Sequence, residues 1–576
     1  MEDRSWTFDE ETQEWEDEFG ARYSEDKKTI LHCPEDYEGR FVIPYSVTSI
    51  GDRAFWRCSR LEEIKIPNSL TSIGKEAFGS CSRLEEIKIP DSVTSLGDSV
   101  FQRCSSLEKI GIPNSVTRIG KEAFSGCSNL EKIWTPNSLS SIGDGAFHDC
   151  SRLEKIWIPE SVISIGNSAF SECSRLKKIE IPNSLSSIGQ MLFSGCSSLE
   201  EFKIPNLVTS IGDGAFQRCS CLKKIWIPDS VISIGKKAFS GCSNIEKVRI
   251  PNSVTSIGKE AFSGCSRLDG IKIPDSVSFV GEGAFQRCSR LKKIKIPDTV
   301  TNIRDRAFHK CSNLEIVRIS ESVTNIGKEA FAKCSKLNNV EISKSVKTID
   351  DYAFAWCSSL KGINIPEGIT KIGKSAFYEC PKIRKIEIPK SVEEIGHEAF
   401  WGCPIKEVHL PPTTNYYSND SFDEVTKVVR AKVSISYSWD DDEHKAWVKK
   451  LAEDLQKKDV YVIFDQWELS PGKLIPNFIE RSIVEAERVI LIMTPSYKKK
   501  SDKKGAGVQY EISIIKNELF KNISSDKFIP ILRIGPQTQA CPNGFENRLY
   551  LDFTKDESYD NSLGLLLREI FKVDRL

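Results

Sequence analysis

The stretch GVQYEISII, Gly507 to Ile515, sets one carboxylate, Glu511, between an aromatic residue and an apolar run. A carboxylate placed there can accept hydrogen bonds from hydroxyls and stabilise positive charge developing on a bound group. On position alone it can equally be a first-turn helix carboxylate favoured by the macrodipole. Upstream, Ser436, Tyr437 and Trp439, then Asp465, Gln466 and Trp467, then Thr494, Ser496 and Tyr497 follow three short apolar runs. Five lysines between Lys498 and Lys504 could meet a phosphate or a neighbouring subunit, although such a run more often forms a solvated loop. The GAG at Gly505 is too short for a phosphate-binding fingerprint.

The elements that must position these residues alternate in type. KVSISYS reads as a strand, and DDDEHKAWVKKLAEDLQKK as a helix with an acidic first turn and an apolar stripe of Ala446, Trp447, Leu451 and Leu455. VYVIF, RVILIMTP and FIPILRI are further strands; IPNFIERSIVEAE, GVQYEISIIKNELF and NSLGLLLREIF are helices. Such alternation implies a mostly parallel, doubly wound sheet, with ligands beyond the carboxyl ends of its strands. That rule picks out the polar and aromatic rim before any family is considered.

The rest of the 576 residues follows another rhythm. From Pro44 to Pro411 a unit close to IPNSVTSIGKEAFSGCSRLEKI recurs, and a period this short and regular means a solenoid. In one unit Val47, Ile50, Ala54, Phe55, Cys58, Leu61, Ile64 and Ile66 form the inward set, Ile64 and Ile66 alternating with wet Glu63 and Lys65 in a strand that Pro67 ends. Gly51 and its copies suit a positive φ, with Arg304 and Asp350 as exceptions. Sixteen of the 19 cysteines, Cys58 to Cys403, recur every 23 residues. Neighbouring copies lie within disulfide reach, but an inward ladder without any Cys-x-x-Cys pair reads as small buried hydrophobes, and no metal site is expected. Outward strand positions carry Trp134, Trp157, Trp226, Arg249, Lys272, Lys295 and Arg318. This is either a face for a protein, nucleic acid or anionic glycan, or a solvated surface.

A net charge of −1 gives no global attraction to nucleic acid or membranes. The acidic N-terminus lacks a signal-peptide pattern, no run approaches the roughly 18 apolar residues of a membrane helix, and a cytoplasmic protein is expected.

Two resemblances follow. The repeats, pairing L-x-x-I-x-I-P with A-F-x-x-C, resemble BspA-like leucine-rich repeats over about two-thirds of the chain. From about Ala431 to Phe571 the chain resembles a bacterial Toll/interleukin-1 receptor (TIR) domain, with ISYS like its first box, FDQWELSPG like its second, and GVQYE where enzymatic members carry their catalytic glutamate. Val508 stands where many of those members have tryptophan, and Tyr510 is the nearby aromatic. The implied organisation is an N-terminal cap (1–43), a β-rich solenoid of about 16 repeats (44–411), a linker or C-terminal cap (412–430) and a flavodoxin-like TIR domain (431–576). The TIR resemblance implies cleavage of the nicotinamide N-glycosidic bond of NAD+, a substrate that needs no metal, with Glu511 catalytic and Ser436, Tyr437, Trp439, Asp465, Gln466, Trp467 and Tyr510 contacting it. It further implies homo-oligomers formed through the loop of Leu469, Pro471, Gly472 and Lys473, a cue bound on the concave face of the repeats, and a role in bacterial defence. The alternative is a non-catalytic TIR scaffold whose repeats bind a protein.

Overall fold

The computed structural model describes residues 4–411, 414–417, 420–429, 431–468, 475–502, 507–521 and 526–571. The chain divides into two units, residues 1–363 with 375–382, and residues 364–374 with 383–576.

The first unit is a β-solenoid. Each turn contributes a two-residue strand such as Ser49–Ile50 and a longer one such as Arg60–Lys65, both paired in parallel with the equivalent strand 22 or 23 residues away. Between them the chain makes a tight corner whose amides reach across to the next turn: Arg53 N to Lys75 O, Phe55 N to Ala77 O and Arg57 N to Gly79 O, each 2.8 Å. Alternate corner residues, Arg53 and Arg57, take φ of 58° and 64°, and their copies repeat this along the array.

The glycine that follows the short strand does not have positive φ, as the sequence had suggested. Its role is close approach. A Cβ on Gly74 would lie 2.5 to 2.7 Å from the backbone and carboxylate of Gly51 and Asp52 in the turn before, and one on Gly97 would strike Gly74 in the same way. Positive φ falls two residues later, mostly on non-glycine residues.

Inside, the phenylalanines stack face to face from Phe55 to Phe377 with ring centroids 5.2 to 5.8 Å apart. The cysteines are free, and the sixteen of the ladder, Cys58 to Cys403 at 23-residue spacing, are buried, while Cys221, off the ladder, is half-buried. From Cys81 to Cys380 each ladder thiol donates to the carbonyl of the phenylalanine 26 residues earlier, at 3.0 to 3.3 Å, as Cys81 does to Phe55 and Cys196 to Phe170. The thiols therefore fill the core and give a corner carbonyl a second donor beside its backbone amide, while burial raises the pKa of those such as Cys150 and Cys196 well above the thiol range. At the N-terminus three antiparallel strands, Trp6–Asp9, Glu14–Asp17 and Arg22–Tyr23, cover the open edge through Thr29–His32. They are fastened by a buried Arg4–Asp17 ion pair, to which Tyr23 adds a hydroxyl donated to Asp17 at 2.9 Å.

The second unit begins with the last turns of the array. Here segment 412–430 carries strands of its own, Asn415–Tyr416 against Glu394–Ile395 and Lys427–Val429 against Glu407–His409, and Phe422 stacks on Phe400 at 5.2 Å. An α/β fold follows, its elements numbered here in chain order: β1 (Ala431–Ser436), α1 (Asp442–Gln456), β2 (Val460–Ile463), α2 (Asp465–Glu468), α3 (Ile475–Glu485), β3 (Arg488–Met493), α4 (Pro495–Asp502), α5 (Gly507–Lys521), β4 (Phe528–Leu532), α6 (Gln537–Ala540), β5 (Leu551–Asp552) and α7 (Tyr559–Phe571). The sheet is parallel throughout, in order β2-β1-β3-β4-β5. Helices α1 and α7 pack on one face through Trp447, Leu451, Leu455, Leu566 and Ile570; α3, α4 and α5 pack on the other through Ile479, Ile483, Tyr497, Ile512 and Ile515. Burial on both faces explains why β3 is apolar almost without alternation. Ala446 is exposed, and His444, Val448 and Ala452 join the buried stripe of α1. No helix among the described residues is long and apolar enough to cross a membrane.

Truncating one ring of the ladder, Phe193→Ala, should cost about 3–5 kcal/mol in denaturant unfolding, because the flanking rings cannot close a gap fixed by the backbone ladder. Trp157→Ala, on the exposed strand face, should change stability by no more than about 0.5 kcal/mol.

Candidate active site at the sheet switch point

In the order β2-β1-β3, the chain reverses direction of travel between β1 and β3, so a crevice opens beyond their carboxyl ends. Ser436 ends β1, Thr494 and Tyr497 follow β3, and α5 brings Glu511 alongside. The Ser436 hydroxyl donates to Glu511 Oε2 at 2.5 Å and lies 2.7 Å from the hydroxyl of fully buried Tyr497. Helix α5 is already formed at Gly507, so Glu511 lies past its first turn, and it accepts its hydrogen bond from Ser436. The macrodipole explanation for this carboxylate therefore loses its basis.

Burial pushes the Glu511 pKa from 4.5 up to about 8; the Ser436 hydroxyl opposes the shift and the negative charge of Asp465 adds to it. Burial likewise raises Tyr497, with Glu511 reinforcing. The raised pKa favours the protonated carboxyl in the free site, and a positive charge placed beside it would favour ionisation.

A second cluster forms the wall beside it. Asp465, at the start of α2, accepts from the Tyr437 hydroxyl at 2.9 Å and from the Trp439 indole at 2.7 Å, while the Gln466 amide donates to Tyr437 at 2.8 Å. Trp467 packs edge-on against Phe464 at 5.0 Å. Trp439, 54% exposed, and Trp467, 37% exposed, leave ring surface open to solvent. The structure thus joins Ser436 to Glu511 and joins Tyr437, Trp439 and Gln466 to Asp465. Tyr510 is exposed on α5, and Val508, where an aromatic was looked for, is buried in the core beneath the sheet. Leu469, Pro471, Gly472 and Lys473 lie outside the described residues.

One group was not singled out from sequence. Asp440 accepts from Thr494 at 3.0 Å and pairs with Lys500 at 3.1 Å, and Lys500 also donates to the Trp439 carbonyl at 2.8 Å. Burial would raise Asp440, but hydrogen bonds from Ser496, Ser438, Lys500 and Thr494 outweigh it and lower its pKa. The lysine run meant for a loop is in part helical, since Lys498 to Lys500 belong to α4; Lys503, Lys504 and the GAG fall on or beside undescribed residues.

On the repeats, Trp134, Trp157, Trp226, Arg249, Lys272, Lys295 and Arg318 all lie exposed on the longer strands.

Comparison with known families decides the assignment. Segments 39–153, 117–246, 232–361 and 347–438 match the BspA type leucine rich repeat region, and residues 433–567 match the TIR domain. The chain belongs to the BspA-type leucine-rich-repeat family and ends in a TIR domain. It is similar to a leucine-rich repeat protein from Bacteroides ovatus, at 30% identity over 74% of this chain and 98% of that one, with a TM-score of 0.54. It is also similar to a leucine rich cell surface protein from Faecalibacterium prausnitzii (28% identity, 72% and 94%, TM-score 0.35). A prokaryotic SEFIR domain is 35% identical over 24% of this chain and 98% of its own (TM-score 0.21). No curated protein matches.

The TIR carboxyl gives a signed expectation. Between the ordinary value of 4.5 and about 8 the folded domain binds a proton that the unfolded chain has released. Stability therefore falls as pH rises through that window and levels off above it. Glu511→Gln lacks this loss, so its melting temperature should match the natural protein near pH 5 and exceed it near pH 8.5. Ser436→Ala should move the Glu511 titration, followed by NMR, further up, and Asp465→Asn should move it down.

Proposed function

We propose that the TIR domain cleaves the nicotinamide N-glycosidic bond of NAD+, with Glu511 as the catalytic group. The observation that carries the reading is the half-buried Glu511 carboxyl at the sheet switch point, hydrogen-bonded to Ser436 and beside a rim of exposed indoles and a second carboxylate, Asp465. An ordinary glycosidase needs a second carboxyl to protonate its leaving group, whereas nicotinamide departs from a pyridinium as a neutral base and needs no proton. What remains is to hold the ribose and stabilise positive charge at its anomeric carbon. A carboxylate does both, accepting ribose hydroxyls and setting a negative charge beside the developing cation.

The raised pKa fits this task. The positive pyridinium ring of NAD+, placed beside Glu511, favours its ionised form, so binding drives off the proton, and Ser436, which donates to the carboxylate, stabilises the form that acts. Trp439 and Trp467 offer ring faces for the bases, and Asp465 fixes the wall that carries them. Self-association through the loop of Leu469, Pro471, Gly472 and Lys473 would complete the site, and a cue bound by the repeats would promote it, as a cytoplasmic defence protein that consumes NAD+ requires.

One observation favours a second reading. Val508 is buried, so that position offers a substrate no aromatic face and Tyr510 is left as the exposed ring of the first turn of α5, and a TIR domain that only recruits other TIR domains needs no ring at Val508. Incubating the full chain with NAD+ at high protein concentration separates the two. Release of nicotinamide, lost by about a hundredfold or more in Glu511→Gln, is the expected result. The rate at low NAD+ should climb up to about tenfold per pH unit and level near pH 8, the pKa of the free site. No turnover even in concentrated assemblies would leave the adaptor reading.

A further inference from the structure

The outward side chains of five successive strands, Lys224–Trp226, Lys247–Arg249, Gly270–Lys272, Lys293–Lys295 and Ile316–Arg318, include seven cations and no anion. Register stacks them. Arg249 stands opposite Lys272, and Lys295 opposite Arg318, and the 23-residue period extends this into one column, Trp226, Arg249, Lys272, Lys295, Arg318, with about 4.8 Å between rungs. Glu341, opposite Arg318, ends it.

Like charges directly opposite one another on neighbouring strands repel. Toward the N-terminal side of this face the cost is met by acids: Lys178 pairs with Glu180 at 2.7 Å, and Lys224, on the first of the five strands, with Glu201 at 3.3 Å. Arg249 finds Asp229 at 2.9 Å. Lys272, Lys293, Lys295 and Arg318 have no ion pair among the described residues. The same four side chains line a shallow depression with Ile316 among its apolar lining and Asp275 as its acidic residue. Gly270 leaves room at its side, since a Cβ there would meet nothing within 4 Å.

A row of unneutralised cations attracts a chain that carries one negative charge per unit. At its head Trp226, half exposed, offers a flat ring that a charged peptide would leave idle. A duplex would leave it idle too, because its bases are stacked inside. Unpaired bases stack on such rings while lysines and arginines track the backbone. We infer that the strand face from Trp226 to Arg318 is a binding site for single-stranded nucleic acid, with phosphates along the cation column and a base on Trp226. Recognition of this kind is indifferent to sequence and sensitive to salt. It does not depend on whether Glu511 is catalytic.

The test is fluorescence anisotropy of labelled oligo(dT) with the full chain at about 50 mM and about 200 mM salt. Binding should weaken by about tenfold or more in Lys272→Glu/Lys295→Glu, and the slope of log affinity against log salt should drop by roughly 1.4, the share of two phosphate contacts on a single strand. Trp226→Ala should cost about fivefold or more through lost stacking. Lys65→Glu/Lys88→Glu, the same charge reversal on earlier strands, should leave affinity unchanged, and unaltered melting curves would show that all variants fold. Absence of binding at low salt, or binding indifferent to the Lys272/Lys295 pair, overturns the inference. So does tighter binding of heparin, an acidic polypeptide or a duplex with Trp226→Ala silent, which would assign the column to another polyanion.

Discussion

Every feature of the repeat region depends on the amide-to-carbonyl ladder that ties each corner to the next turn. To aim three alternate amides, such as those of Arg53, Phe55 and Arg57, along the solenoid axis, the corner must alternate between right- and left-handed backbone conformations. A non-glycine residue in the left-handed region costs on the order of 1 kcal/mol, and each turn has two such positions. The ladder offsets this only when turns stack, so one repeat by itself has no reason to hold its shape. The same closeness excludes a Cβ at Gly74 and Gly97, brings the phenylalanine rings into contact and sets each cysteine thiol beneath the carbonyl it donates to. Each such carbonyl already accepts a backbone amide, as Phe55 does from Cys58 at 3.1 Å, so the thiol adds a second, weaker donor while its sulfur fills core volume.

Because support lies entirely in inward and corner positions, the outward strand residues are free to vary without cost to the fold. The TIR domain divides its labour in another way. There the residues that would do chemistry are partly buried, and Glu511 is stabilising only while protonated. The sheet tolerates this because the carboxyl lies where β1 and β3 diverge, the one place in a doubly wound sheet where strand ends leave a crevice that no crossover fills. Ser436 and Tyr497 prevent the carboxyl from being an orphaned buried polar group, and the rim can then hold open ring surface instead of collapsing onto it.

Repetition made most of this legible in the sequence. Sixteen copies of one pattern separate inward from outward positions more surely than any single helix or strand could, and Cys58, Phe55 and Ile64 are buried as the pattern requires. Gly51 shows where that reading stops. Sequence marks a demand for glycine but not its cause, and the cause is the neighbouring backbone, which only the stacked structure supplies. In the TIR domain the strand-end rule found Ser436 and Asp465, since alternation of strands and helices fixes where the carboxyl ends lie, whereas Glu511 came from the likeness of GVQYE to the family's motif. The rule passed over Asp440, whose role comes from Thr494 and Lys500 across more than 50 residues of chain, and the competing reading of Glu511 as a first-turn carboxylate is removed by helix α5, formed from Gly507 onward.

The junction inside the second unit carries the last consequence. Strand Lys427–Val429 is paired with Glu407–His409 as part of the final turn, and a single residue separates it from β1. Tyr416, on that same last turn, donates to Asp459 at the entry to β2 at 2.6 Å, and the Lys427 ammonium lies 5.0 Å over the Tyr461 ring. A flexible tether would let TIR domains meet while their repeats tumble independently. Here the TIR sheet is in contact with the closing repeat within one unit, so a displacement of that last turn is carried directly to β1 and β2 and is not lost in a tether.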